Sequence, residues 1–116
     1  MSKGQKTRPT KTHQKMREQV QCGEALLSEK RPGWESCIQV DRLDMSSGRA
    51  CILGQLFDGD FGKGVHALFG FDWFGDIPVT DEEYHLVADH GFVTSIDYYQ
   101  LELIWKHALQ QKKVHA

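Results

Sequence analysis

The stretch YYQLELIWKHAL, residues 98–109, carries the clearest helical pattern in the chain and decides its fold class. Thr94 or Ser95 is expected to cap this helix, and the basic pair Lys112 and Lys113 suits its C-terminus, because cations favour the negative end of the helix dipole. The apolar side chains recur every three or four residues, as on one face of an α-helix: Tyr98, Leu101, Trp105 and Ala108, with Ile104 and Leu109 beside them. A long C-terminal helix is therefore predicted.

Two more helices are predicted upstream. Thr80 and Glu83 have the spacing of a capping box, which predicts a helix that Gly91 ends. Near the N-terminus, helical spacing of apolar residues runs from about residue 12 to residue 30, and the Pro-Gly pair at 32–33 stops it. Gly23, inside this first helix, either weakens it by roughly 1 kcal/mol or marks a place where another element approaches closely.

The middle of the chain predicts a core helix and loops. Ser46 or Ser47 is expected to cap a helix through residues 51–57, which is apolar nearly all round and therefore central. Residues 58–78 mix glycines with aromatic residues, so loops pinned by aromatic burial are expected there, with a short helix at 64–69. The fold class predicted is mainly α: one small domain of about four helices with glycine- and aromatic-rich connecting loops.

Length and composition agree with one soluble domain. The chain has 116 residues, 40% of them hydrophobic and 26% charged, which is ordinary globular usage. No apolar run approaches the roughly 18 residues of a membrane span, and no signal peptide is recognisable. The odd, scattered set Cys22, Cys37 and Cys51 indicates a reducing compartment, and all three are expected to pack in or near the core. The predicted location is the cytoplasm.

Positive charge is concentrated at the N-terminus, although the net charge is −2. Residues 1–11 are predicted to be a flexible basic arm, and residues 12–116 a single helical domain. Such an arm either binds nucleic acid without sequence preference or serves as a solvated tail that keeps the protein soluble. The basic residues that precede the first acidic residue are Lys3, Lys6, Arg8, Lys11, Lys15 and Arg17.

Motifs for chemistry are weak. Asp58-Gly-Asp60 begins like a calcium loop, but Lys63 and Phe69 stand where that loop needs glycine and glutamate. His85 and His90 could supply two metal ligands from neighbouring helical faces, with His66 or Cys51 needed to complete the set; the alternative is ordinary surface histidines. A metal-dependent enzyme using His85 and His90 is therefore one alternative function. No cofactor is predicted, and the sequence leans away from an enzyme.

Several short motifs resemble a group of small uncharacterised proteins from actinobacteria and their phages. The likeness extends from about residue 16 to residue 109 and implies a cytosolic protein of bacterial or phage origin, without a mechanism. The motifs are RPGW (31–34), VDRLDM (40–45), CILGQLF (51–57), DFGKG (60–64) and HGF (90–92), followed by Tyr98, Leu101 and Trp105.

The leading hypothesis is a small interaction protein that binds a host protein through an aromatic and acidic surface. Its anchors would be Phe61, Phe71, Trp73 and Phe74, which lie among glycines and acidic residues. Burial of the same aromatic residues in the core is the competing interpretation. The partner's identity is not encoded in any motif. Non-specific nucleic-acid binding by the basic arm is the first alternative, and no membrane partner is expected.

Overall fold

Five α-helices form the fold of the described residues. The computed structural model describes residues 11–73 and 80–115, without the side chains of 113–115, and this part contains no β-strand. The helices are α1 (Lys11–Lys30), α2 (Ile52–Leu56), α3 (Phe61–Phe69), α4 (Asp81–Ala88) and α5 (Tyr98–His115). Four of them have eight residues or more. The predicted mainly-α, single-domain fold is confirmed, with α2 as a short fifth helix.

The first and last helices pack together and enclose Trp105. This side chain is fully buried, meets Trp34 edge to face at 6.0 Å between ring centroids, and stacks on Phe92 at 5.8 Å. Its indole N–H donates to the Gly91 carbonyl at 2.7 Å, so the turn after α4 is tied to α5. Aromatic contacts of this geometry add about 0.5–1.5 kcal/mol each beyond simple burial. Trp105 is thus the centre of the core.

Gly23 allows α1 to approach the turn that follows α4. A Cβ atom at this position would lie 2.1 Å from the His90 carbonyl oxygen and 3.1 Å from the Trp105 ring. The 2.1 Å distance is sterically impossible for a side-chain carbon, so the close-approach interpretation of this glycine is confirmed. Gly91, in the same turn, has a φ of 74° and lies against the backbone of Val20. The α1–turn contact therefore depends on two glycines.

Residues 31–51 connect α1 to α2 and contribute to the core. The connector contains two short 3-10 helices, Trp34–Cys37 and Val40–Arg42. Five of its apolar side chains are buried: Trp34, Ile38, Leu43, Met45 and Cys51. The Met45 N–H donates to Glu102 Oε1 at 3.1 Å, which fixes the connector against α5.

The predicted cap of the central helix is wrong. Helix α2 begins at Ile52, and its N-cap is Cys51, whose Sγ accepts a hydrogen bond from the Gly54 N–H at 3.3 Å. Ser47 Oγ instead accepts from the N–H groups of Arg49 and Ala50, at 3.2 and 3.1 Å, and so stabilises the turn before the helix.

Caps of the other helices partly match the prediction. Thr80 Oγ1 accepts from the Glu83 N–H at 3.1 Å, which confirms the predicted start of α4. Helix α5 is capped by Asp97, not by Thr94 or Ser95, because Asp97 Oδ1 accepts from the N–H groups at positions 99 and 100. Helix α3 begins at Phe61, three residues earlier than expected, since Asp60 Oδ1 accepts from the Lys63 N–H at 3.2 Å.

None of the described helices has the length and apolar character that crossing a membrane would require.

Candidate functional site

An apolar strip on and beside α5 faces solvent. Its three residues are Ile96, Tyr99 and Leu103, whose side chains are 66%, 67% and 41% exposed. Tyr99 and Leu103 are four positions apart and therefore share one face of α5. Leu86, on α4, is the one other large hydrophobic residue that is exposed among the described residues. Because single exposed hydrophobic residues are common, the clustering of three within eight positions is the informative feature.

Beside this strip lies a groove between α1 and α5. Two adjoining clefts, of about 300 and 410 Å³, share Arg17, Ile104 and His107 and together form one continuous α1–α5 groove. The apolar residues that line it are Val20, Leu103, Ile104 and Ala108; its polar lining is His13, Arg17, Gln21, Glu24, Gln100, His107, Gln111 and Lys112. The groove follows α5 from Gln100 to Lys112, a distance of about 18 Å at the helical rise of about 1.5 Å per residue.

Charge varies along the groove. At one end, the Glu24 carboxylate is 3.6 Å from Lys112 Nζ, and Lys112 is also 3.7 Å from Glu35. Burial raises the pKa of Glu24, and the Lys112 ammonium opposes that rise. Where the two clefts meet, Arg17 is exposed and makes no ion pair with any residue in the described part of the chain. The groove therefore presents one uncompensated cation beside an apolar floor.

The aromatic residues predicted as partner anchors lie mostly against the core. Trp73 is 9% exposed, meets Phe61 edge to face at 5.5 Å and stacks on Tyr84 at 6.1 Å. Phe61 and Phe71 are half-buried and pack against the core cluster. Phe74 lies outside the described residues. Trp73 consequently offers little surface to a partner in this conformation, whereas Phe61 and Phe71 keep part of theirs.

The basic residues of the predicted arm fall into two groups. Lys3, Lys6 and Arg8 lie outside the described residues, whereas Lys11, Lys15 and Arg17 are exposed on α1. Lys15 and Arg17 are two positions apart, which separates them by about 200° around the helix. Arg17 lines the groove, so Lys15 projects from the opposite side of α1.

His85 and His90, the two side chains proposed as metal ligands, contact neighbouring residues of α4 and α3. The His90 Nδ1–H donates to the Leu86 carbonyl at 2.8 Å, and the ring meets Phe69 edge to face at 5.2 Å. His85 is exposed and meets the ring of Tyr84 at 5.9 Å. Within the part of the chain that the structure describes, no three His, Cys, Asp or Glu side chains form a group that could hold a metal ion.

The acidic pair at 58 and 60 has structural roles. Asp58 pairs with Lys63, and this exposed contact keeps the pKa of the Asp58 carboxyl below its ordinary value. Asp60 caps α3, as described above. Both roles are local: one stabilises the turn before α3 and the other caps that helix.

The three cysteines have different environments. Cys51 is buried, which raises the pKa of its thiol, and it borders a cavity of about 200 Å³ that Ser47, Trp73 and Tyr98 also line. Cys22 and Cys37 are exposed. The expectation that all three pack in or near the core is thus confirmed for Cys51 and wrong for the other two, because each lies on the solvent side of its helix.

We expect two thiols per chain to react rapidly with Ellman's reagent in native buffer, and the third only slowly. Cys22 and Cys37 are accessible, whereas the Cys51 thiol is both buried and held protonated. Time courses of the reagent's absorbance in buffer and in denaturant test this. Cys51→Ala should leave the fast phase unchanged, and three fast thiols in the native protein would contradict the burial of Cys51.

Sequence reasoning missed the apolar strip and the groove, although one signal was present. Ile96, Tyr99 and Leu103 lie outside the predicted buried face of the last helix, so their exposure follows from that helix's own pattern. The contribution of α1 to the groove had no comparable signal in the sequence, because it depends on how two helices that are distant in the sequence pack together.

Compared with protein-family models, with curated proteins and with solved structures, the chain matches none of them.

Proposed function

We propose that this chain is a protein-interaction domain and that the apolar strip Ile96, Tyr99 and Leu103 is the centre of its binding surface. The proposal keeps the function class expected from the sequence and relocates the surface, because Trp73 is buried whereas the strip is exposed. The resemblance to small proteins of actinobacteria and their phages makes a protein of the bacterial host the proposed partner.

The observation that carries the proposal is the exposure of three large apolar side chains within eight positions of the chain. Keeping them in water costs free energy, at about 25 cal/mol per Å² of apolar surface, which association with a partner would recover. Tyr99 suits this role because its ring gives apolar contact while its hydroxyl finds a polar partner. Enrichment of aromatic residues at the centre of a patch is typical of protein interfaces.

We expect a photo-cross-linking phenylalanine analogue at position 99 or 103 to capture one discrete partner in actinobacterial cells. The same analogue at Asp41, which is exposed on the second 3-10 helix, is the matched control and should capture nothing discrete. Mass spectrometry of the cross-linked peptides identifies the partner and its contact site. The purified partner should then bind the wild-type chain, and Leu103→Glu should weaken that binding by at least about tenfold, as expected for a residue at an interface centre.

Two results would contradict the proposal. One is the same cross-linking pattern at positions 41, 99 and 103, which would mean random encounter. The other is cross-linking of nucleic acid in place of protein, with binding that falls steeply as salt increases, which would support the basic-arm alternative.

A further inference from the structure

We infer that the α1–α5 groove binds an amphipathic helix of another protein that carries carboxylates along one edge of its apolar face. This inference rests on the proposed function and specifies the chemistry of the partner. It uses the groove's shape, its lining and its one uncompensated charge.

The groove has the shape of a helix-binding site. About 18 Å of length corresponds to roughly three turns of a second helix, enough for anchor residues at positions i, i+3 or i+4, and i+7. Leu103 and Ile104 form its floor on α5, and Val20 contributes from α1. A helix placed there would also cover Leu103 of the apolar strip, so one partner would use both features.

The charge of the groove favours carboxylates along one edge of the bound helix. Arg17 projects beside the apolar floor without an ion-pair partner among the described residues, and Glu24 at the far end is already paired with Lys112. A guanidinium next to apolar surface binds carboxylates in a two-pronged geometry. Lys11 and Lys15 are also exposed in this part of α1, which has no acidic residue before Glu18, so the local field adds to the attraction for an acidic partner.

Two other occupants fit the groove less well. Nucleic acid would use the cations of α1 but would leave Leu103 and Tyr99 exposed to water. Residues 1–10 of the chain itself contain Met1 and Pro9 as their apolar residues, too few to cover the floor.

The test uses the full-length chain and three fluorescent probes. The first is a helix-forming peptide of about 16 residues with leucines at i, i+3, i+4 and i+7 and glutamates along one edge. The second has lysines in place of those glutamates, and the third is a single-stranded DNA oligonucleotide. Fluorescence anisotropy gives each affinity, and light scattering of the chain alone gives its mass.

We expect the glutamate peptide to bind at least about tenfold more tightly than the lysine peptide, a difference of about 1.4 kcal/mol. Arg17→Glu should remove this preference and favour the lysine peptide. Lys15→Glu makes the same charge change on the opposite side of α1 and should leave the preference intact. Leu103→Glu should weaken binding of both peptides, since it places a charge on the groove floor.

Several outcomes would overturn the inference. Equal effects of Arg17→Glu and Lys15→Glu would show general electrostatic attraction, and tighter binding of the oligonucleotide than of the glutamate peptide would favour nucleic acid. A dimeric chain that Leu103→Glu converts to a monomer would make a second copy the occupant. If neither peptide binds but residue 99 still cross-links a partner, the inference fails while the proposed function stands.

Discussion

Trp105→Ala will lower the free energy of unfolding by about 4 kcal/mol, the largest effect expected of any substitution considered. The Trp105 side chain is fully buried. It contacts Trp34 and Phe92, and its indole N–H donates a hydrogen bond to the Gly91 carbonyl. Truncating a buried tryptophan typically costs about 3–5 kcal/mol. Since domains of this size are stable by only about 5–15 kcal/mol, this loss removes a large fraction of the protein's stability.

Urea denaturation followed by far-UV circular dichroism measures this loss. Trp105→Phe separates its two causes, because it keeps an aromatic ring but leaves the buried Gly91 carbonyl without a donor, at a cost of about 1–3 kcal/mol. Tyr99→Ala, on the exposed side of the same helix, should change stability by no more than about 0.5 kcal/mol. A Trp105→Ala loss below about 1 kcal/mol would show that the core is not centred on this residue.

Gly23→Ala will destabilise the protein by about 2 kcal/mol, although alanine is the better helix former. Propensity alone favours alanine by about 1 kcal/mol. The added methyl group, however, would lie 2.1 Å from the His90 carbonyl oxygen, so α1 and the turn must separate, and overpacking of this kind costs up to about 3 kcal/mol. The sign of the measured change therefore reports directly on the contact.

Gly48→Ala is the matched control for this prediction. The nearest atom to a Cβ at position 48 is 3.8 Å away, so there is room for the methyl group. We expect unchanged stability or a gain of up to about 1 kcal/mol, because alanine reduces the freedom of the unfolded chain. Urea denaturation curves of both variants give the two changes in the free energy of unfolding. A stabilised Gly23→Ala protein would contradict the close packing of α1 on the turn.

The helices were predictable where several local signals coincided. In α5 the periodicity of Leu101 and Trp105 gave the buried face, and in α4 Thr80 supplied a cap that the structure retains. Caps were harder to predict where several short polar side chains adjoin a boundary. Ser47 was the natural choice for α2, yet it stabilises the preceding turn while the Cys51 sulfur accepts the capping hydrogen bond. Choosing between such candidates requires the backbone path.

The candidate site was much less accessible from the sequence than the fold. An aromatic-rich segment is compatible with either a buried core or an exposed contact surface. Trp73 is buried because Phe61 and Tyr84 pack against it. The α1–α5 groove depends on contacts between residues far apart in the sequence, such as Glu24 with Lys112, which are 88 positions apart. Local patterns carry no information on such pairs.

The pairing of α1 with α5 has a consequence for how the protein is made. Ribosomes add about 5–20 residues per second, so α1 emerges several seconds before residue 109 is joined to the chain. During that interval Met16, Val20 and Leu27, which are buried in the finished fold, have no α5 to cover them. The apolar face of α1 therefore stays without its partner helix until α5 has been added, and the core can close only when the last helix docks.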